Sequence, residues 1–232
     1  VAVAHRAAAA LRAVGKETIL TENNLIGAED HQRIAQAIRD AEANTSGEIY
    51  AVLARSSDDY FFASGFVATC GVLIASVIAA FLAYWYWFDI RLPMFGLAVL
   101  AAFITAMLVL WLFPSIRLLL VPHRIRYKRA HLNAVQQFLA RNVHITEHRT
   151  GILLFVSMAE HYAEVIADAG IHARVEQDEW NGIVATLLHH ASRKQVAEGF
   201  VLAIGQAGNL LENHFPAGAH NPNELDDHLI EL

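Results

Sequence analysis

The chain has 232 residues, a formal net charge of −6 and a hydrophobic fraction of 55%. The mildly acidic balance excludes a general nucleic-acid binder, whose footprint is basic, and the lone cysteine, Cys70, excludes an intrachain disulfide framework. Much of the apolar excess lies in one stretch, so the rest is enough for one small domain and not two.

Residues 1–20 are rich in Ala, with His5, Arg6, Arg12 and Lys16 scattered among them. Ala favours helix, but large apolar residues are scarce, so a flexible arm is expected here rather than an amphipathic anchor. From Gly27 the sequence GAEDHQRIAQAIRDAEANT sets Ile34, Ala35, Ile38 and Ala41 on one helical stripe. Glu29 and Asp30 fall in its first turn, where carboxylates suit the helix dipole, and Asn44 is the expected left-handed stop. GEIYAVLAR, residues 47–55, reads as a strand.

The dominant feature is the apolar stretch 61–121. Its first half runs FFASGFVATCGVLIASVIAAFLAYWYWF, the chain reverses at Asp89-Ile90-Arg91, and the second half runs LPMFGLAVLAAFITAMLVLWLFPSIRLLLV, uncharged until Arg117. Each half exceeds the ~20 apolar residues that cross ~30 Å of hydrocarbon. The stretch therefore predicts a hairpin of two transmembrane helices. Aromatic residues gather at its ends: Tyr60, Phe61 and Phe62, then Tyr84 to Phe88, then Trp111 and Phe113. Such rings favour the membrane–water interface. The run is internal and too long for a secretory leader.

After Pro122, HRIRYKRAHLNAVQQFLARNV predicts a helix whose apolar face carries Leu132, Val135, Phe138 and Leu139. Arg117, Arg124, Arg126, Lys128 and Arg129 cluster where the second span ends, with no acid among them. They read first as a solvated face beside lipid headgroups, and more sharply as a site for an anionic lipid. GILLFVSM, residues 151–158, predicts a buried strand, Ala159-Glu160-His161 a turn, and residues 162–171 the returning strand. Two amphipathic helices follow: one carries Trp180, Ile183, Val184, Leu187 and Leu188, the other Val196, Phe200, Ala203, Ile204, Ala207 and Leu211, and Pro216 ends the second. The acidic tail is expected to pack back as a short helix or strand. A single strand cannot stand alone, so residues 47–55 should pair with the strands after the hairpin.

In this order, IRDAEANTSGEIYAVLA, GILLFVSMAEHYAEVIADAGI and EWNGIVATLLHHASRKQVAEGFVLAIGQAGNLL resemble the TPM domain family. The resemblance covers most of residues 22–215 outside the hairpin. It implies an α/β sandwich with a small central sheet, here interrupted by the two-helix hairpin. The expected segments are an arm (1–20), the first part of the domain (21–60), the hairpin (61–121), the second part (122–216) and the tail (217–232). Relatives include a thylakoid lumen protein linked to photosystem II repair and small bacterial membrane proteins. Phosphatase activity is attributed to some and calcium binding to others. The glycine-rich end of the family's second hairpin strand is replaced here by Asp168-Ala169-Gly170-Ile171.

The sequence carries no GxSxG, HExxH, P-loop or DxDxDG pattern. Polar groups near the end of the strand hairpin are Glu160, His161, Asp168, His172, Asp178 and Glu179. Carboxylates gathered at strand ends suit a hard cation. Asp168 and Asp178 are the expected metal pair, with calcium as the cation that the resemblance implies, although capping of the next helix by Asp178 or its neighbours accounts for the same residues. The thirteen histidines include His144, His148 and the adjacent His189 and His190. Nothing in their spacing shows three convergent ligands.

Two functions fit these observations. The first is a membrane-anchored interaction or accessory module, with the lipid bilayer and another membrane protein as partners and with a divalent cation as an option. The alternative is a metal-dependent phosphatase, which the resemblance implies but no nucleophile-plus-base pair supports. The expected location is the inner (plasma) membrane, as a multi-pass protein. The positive charges flanking the spans favour a cytoplasmic domain, whereas the resemblance implies the lumen or periplasm, where several relatives place this domain.

Overall fold

The computed structural model describes residues 25–87, 91–146, 148–218 and 223–232. The arm at 1–20 and the reversal at Asp89-Ile90 lie outside the described residues. The described residues fall into two compact units, one made of the chain up to Arg55 with His131–Leu232, the other of Ser56–Ala130.

The first unit is a mixed α/β domain. Helix α1 (Ala28–Glu42) buries Ile34 and Ile38 and has Glu29 and Asp30 in its first turn, as the stripe predicts. It does not stop at a left-handed Asn44: Ala43 caps it in right-handed geometry, and Asn44 has no positive φ. Instead the Asn44 carbonyl accepts from Ala217 N–H and Thr45 Oγ donates to the Phe215 carbonyl. The exit from α1 is thus fixed by the segment around Pro216.

Strand β1 (Glu48–Ala54) is buried along its whole length. It runs parallel to β2 (Gly151–Ser157), with Ile49 opposite Ile152 and Ala54 opposite Ser157. The lone strand therefore pairs as expected. Strand β3 (Tyr162–Ala167) returns antiparallel to β2. The tail supplies β4 (Leu229–Glu231), parallel to β1 on its other edge, giving the order β3-β2-β1-β4. Parallel neighbours need cover on both faces, and the alternation along β1 provides for it. Ile49, Ala51 and Leu53 join one core with Ile34, Ile38, Phe200 and Ile204. Tyr50, Val52 and Ala54 join another with Ala134, Phe138, Val143 and Phe155.

After β3 the expected strand is cut short. Residues 169–172 form a one-turn helix, α6 (Ala169–His172), because the Asp168 carboxylate accepts the Ala169 N–H and ends the ladder there. Helices α7 (Gln177–Ser192) and α8 (Val196–His214) close the domain. α7 starts with a capping box between Glu176 and Glu179.

The second unit holds α2 (Phe61–Trp85) and α3 (Leu92–Leu112), both long and apolar enough to cross a membrane. They do not behave as core helices: Phe62, Phe81 and Leu92 are 88%, 71% and 82% exposed. Asp58 and Asp59 accept the Tyr60 and Phe61 N–H groups at the start of α2. The second apolar half is not one helix to Val121. It breaks at Phe113, and Pro114 starts a short α4 (Pro114–Leu120), because proline has no N–H to continue the ladder. Helix α5 (His123–Ala140) then begins in this unit, and its residues from His131 belong to the first.

Candidate functional site

The expected metal pair sits at the starts of two helices. Asp168 follows β3 and is buried; its Oδ1 accepts the Ala169 N–H at 2.6 Å, while its buried Oδ2 has no hydrogen-bond partner. Close packing holds the neighbouring turn, since a Cβ on Gly170 would lie 2.6 Å from the Arg149 carbonyl oxygen. Asp178 is exposed in the first turn of α7 and accepts from Asn181 Nδ2 at 3.1 Å. Calcium takes six to eight oxygens, and these two side chains supply too few. Among the described residues no three His, Cys, Asp or Glu side chains are grouped to hold a metal ion. The pair therefore does not amount to a calcium site on its own.

Of the other polar groups near the strand hairpin, Glu160 and Glu179 take structural roles. Glu160 is buried, and Ser157 Oγ donates to its Oε2. Glu179 Oε2 accepts the Glu176 N–H within the capping box. His172 lies in the last turn of α6. His161 occupies the turn in a left-handed conformation, φ 51°, and is exposed. It borders a pocket of about 240 Å³ lined mostly by apolar groups, among them Val156, Met158 and Leu188. Of the histidines, His190 Nδ1 meets the Thr186 carbonyl at 3.0 Å and its ring lies 5.3 Å from that of His189.

The strongest electrostatic feature is elsewhere, at the start of β1. Glu42 ends α1, Glu48 opens β1, and the tight connection between them brings both carboxylates to one pocket of about 250 Å³, bordered by Arg39, Asn223 and Asp227. Glu42 Oε1 accepts the Ile49 N–H at 2.7 Å, and Glu48 Oε2 accepts the Leu225 N–H at 3.2 Å. Asn223 Nδ2 donates to Asp227 Oδ1 at 2.7 Å. Burial pushes the Glu42 carboxyl up to about 8, against the pull of the Ile49 N–H, and the charges of Glu48 and Asp227 push the same way. Burial also raises Glu48, which the Leu225 and Glu224 N–H groups partly offset. Burial thus favours the protonated form of Glu42, and Glu48 ties the tail to the start of the sheet through the Leu225 N–H.

Sequence reading did not single out Glu42, Glu48 or Asp227. The one local sign is a glutamate as the first residue of an otherwise apolar strand. The Leu225 N–H that meets Glu48 comes from 177 residues away.

No family model matches the chain, and no curated protein matches it. Among solved structures it is similar to the NMR structure of BA42 protein from the psychrophilic bacterium Bizionia argentinensis. The TM-score is 0.56 at 19% identity, over 90% of this chain and 97% of that one. At that identity the likeness is one of fold alone.

Proposed function

We propose that the chain is a membrane-anchored protein of the TPM domain type whose α/β domain serves as an interaction or accessory module for another membrane protein. The observation that carries this reading is the exposed apolar surface of α2 and α3, two helices long enough to span a bilayer. Side chains such as Phe62 and Leu92 would face water at a cost of about 1.5–3 kcal/mol each if no apolar medium covered them. The domain in turn offers buried carboxylates that tie its own backbone together, which suits a structural module.

The proposed location is the inner (plasma) membrane, as a multi-pass protein with the domain in the cytoplasm. A two-span hairpin returns both arms to one side. Arg55 precedes the first span, and Arg117, Arg124, Arg126, Lys128 and Arg129 follow the second, whereas Arg91 is the one basic residue near the reversal. Positive charge close to span ends favours the cytoplasmic side. The test is a Cys70→Ala protein with Ser192→Cys, an exposed position at the end of α7. The expected result is no labelling of intact cells by a membrane-impermeant thiol reagent and labelling once the membrane is opened. Labelling of intact cells would invert the orientation.

The metal-dependent phosphatase remains the second reading. Its single supporting observation is the buried Asp168 Oδ2 without a protein partner.

A further inference from the structure

No Asp or Glu occurs between Asp89 and Glu147, while Arg117, Arg124, Arg126, Lys128 and Arg129 fall within that interval. The structure divides these cations. Arg117 Nε and Nη2 donate to the Leu110 and Trp111 carbonyls, at 2.7 and 3.0 Å, and its guanidinium lies over the Phe61 ring at 5.2 Å. Those carbonyls close α3, where the break at Pro114 removes the next N–H donors. Arg117 is therefore occupied in holding the helix break. Arg129 pairs with Asp58 at 3.2 Å.

Arg124, Arg126 and Lys128 have no such assignment. Arg124 and Lys128 are exposed and four residues apart on α5, so they share one face of the helix. Tyr127 lies on the same face and packs its ring against His123, centroids 4.0 Å apart. Arg126 is half-buried, and its Nε lacks a hydrogen-bond partner. Ile125 and Leu119, exposed to 42% and 85%, flank the cations with apolar surface.

We infer that the first two turns of α5 form a binding site for the phosphate headgroup of an acidic glycerophospholipid, engaged by Arg124 and Lys128 with Tyr127 beside them. This rests on the reading of α2 and α3 as membrane spans. The occupant follows from complementarity on both counts. Asp58 is taken up by Arg129, whereas the exposed Arg124 and Lys128 have no carboxylate paired with them among the described residues and favour an anion. The apolar side chains around it, in the unit that carries two span-length helices, require acyl chains next to that anion. Lysine and arginine stems lie along apolar surface while their heads reach the phosphate level, and tyrosine prefers the same depth. A nucleic acid satisfies the charge but not the apolar surroundings, and the net charge of −6 opposes it.

The experiment uses the full chain in nanodiscs of phosphatidylcholine containing phosphatidylglycerol, with the lipids retained after extraction counted by native mass spectrometry. Alkaline extraction of the source membranes is run beside it. The expected result is enrichment of phosphatidylglycerol that falls by roughly fivefold for each of Arg124→Gln and Lys128→Gln. The enrichment persists in Arg124→Lys and in Arg193→Gln, a control on α7's C-terminal end. Excess inorganic phosphate should leave the retained lipid in place, because the acyl chains contribute. Equal retention of the two lipids by a protein that resists alkaline extraction overturns the headgroup site alone. Release by alkali overturns the membrane reading and this inference with it. Displacement of the lipid by inorganic phosphate, or binding of a single-stranded RNA that depends on the same cations without a lipid preference, also contradicts it.

Discussion

Glu42 is the residue whose environment departs furthest from that of a surface carboxylate. Its carboxyl is raised to about 8 in the folded chain by burial, with Glu48 and Asp227 adding to the effect. In the unfolded chain it returns to an ordinary carboxylate value, 4.5. Between those two values the folded state keeps a proton that the unfolded state has lost, so stability falls as pH rises through that window. Below it the contribution is fully present. Glu42→Gln keeps an oxygen for the Ile49 N–H and cannot ionise. Thermal unfolding in detergent should therefore show the variant more stable than the parent near pH 9, by on the order of 2 kcal/mol, and the difference should shrink near pH 5. Asp168 makes a second prediction. Purified protein should hydrolyse a generic phosphomonoester weakly or not at all, with or without calcium. Robust turnover that Asp168→Asn abolishes, while keeping the cap on α6, would promote the phosphatase reading. Asp168 was legible in the sequence as a polar residue at a strand end. Glu42 was not, because nothing local announces that Asp227 and the Leu225 N–H will meet the pocket from the other end of the chain.

At the scale of elements, periodicity was informative for α1, α7 and α8 but not for α5, where Leu132 and Leu139 of the expected apolar face are exposed and Ala130, Ala134 and Phe138 are the buried residues. The apolar stripes of α1, α7 and α8 name the residues that fill the core, among them Ile34, Ile38, Leu187, Phe200 and Ile204. Boundaries set by side-chain-to-backbone bonds were harder to read. Asp168 ends β3 early by capping α6, and the stop of α1 depends on distant partners around Phe215. The second apolar half reads as one continuous span because composition does not reveal that Pro114 breaks it while Arg117 satisfies the freed carbonyls. Helix packing gives a test at this scale. A Cβ on Gly208 of α8 would lie 2.7 Å from the Ala41 Cβ of α1. Gly208→Val should force the two helices apart and destabilise the domain by roughly 1–3 kcal/mol, read by thermal unfolding. Gly205→Ala on the same helix, where no atom lies within 4 Å of the added carbon, should be neutral or slightly stabilising, because alanine is the better helix former.

For the whole molecule, the sequence order makes the two span-length helices an insertion. β1 ends at Ala54, the span-length helices follow, and β2 resumes at Gly151 as the parallel neighbour of β1. That pairing was legible, since a lone strand needs partners. The position of the tail as β4, against the other edge of β1, was legible only as a tendency to pack back. The account stands on the claim that α2 and α3 hold the protein in a bilayer, and alkaline carbonate extraction of membranes from cells making the full chain tests it most directly. The predicted result is that the protein stays with the lipid pellet and leaves it only with detergent. Recovery in the carbonate supernatant would contradict the account.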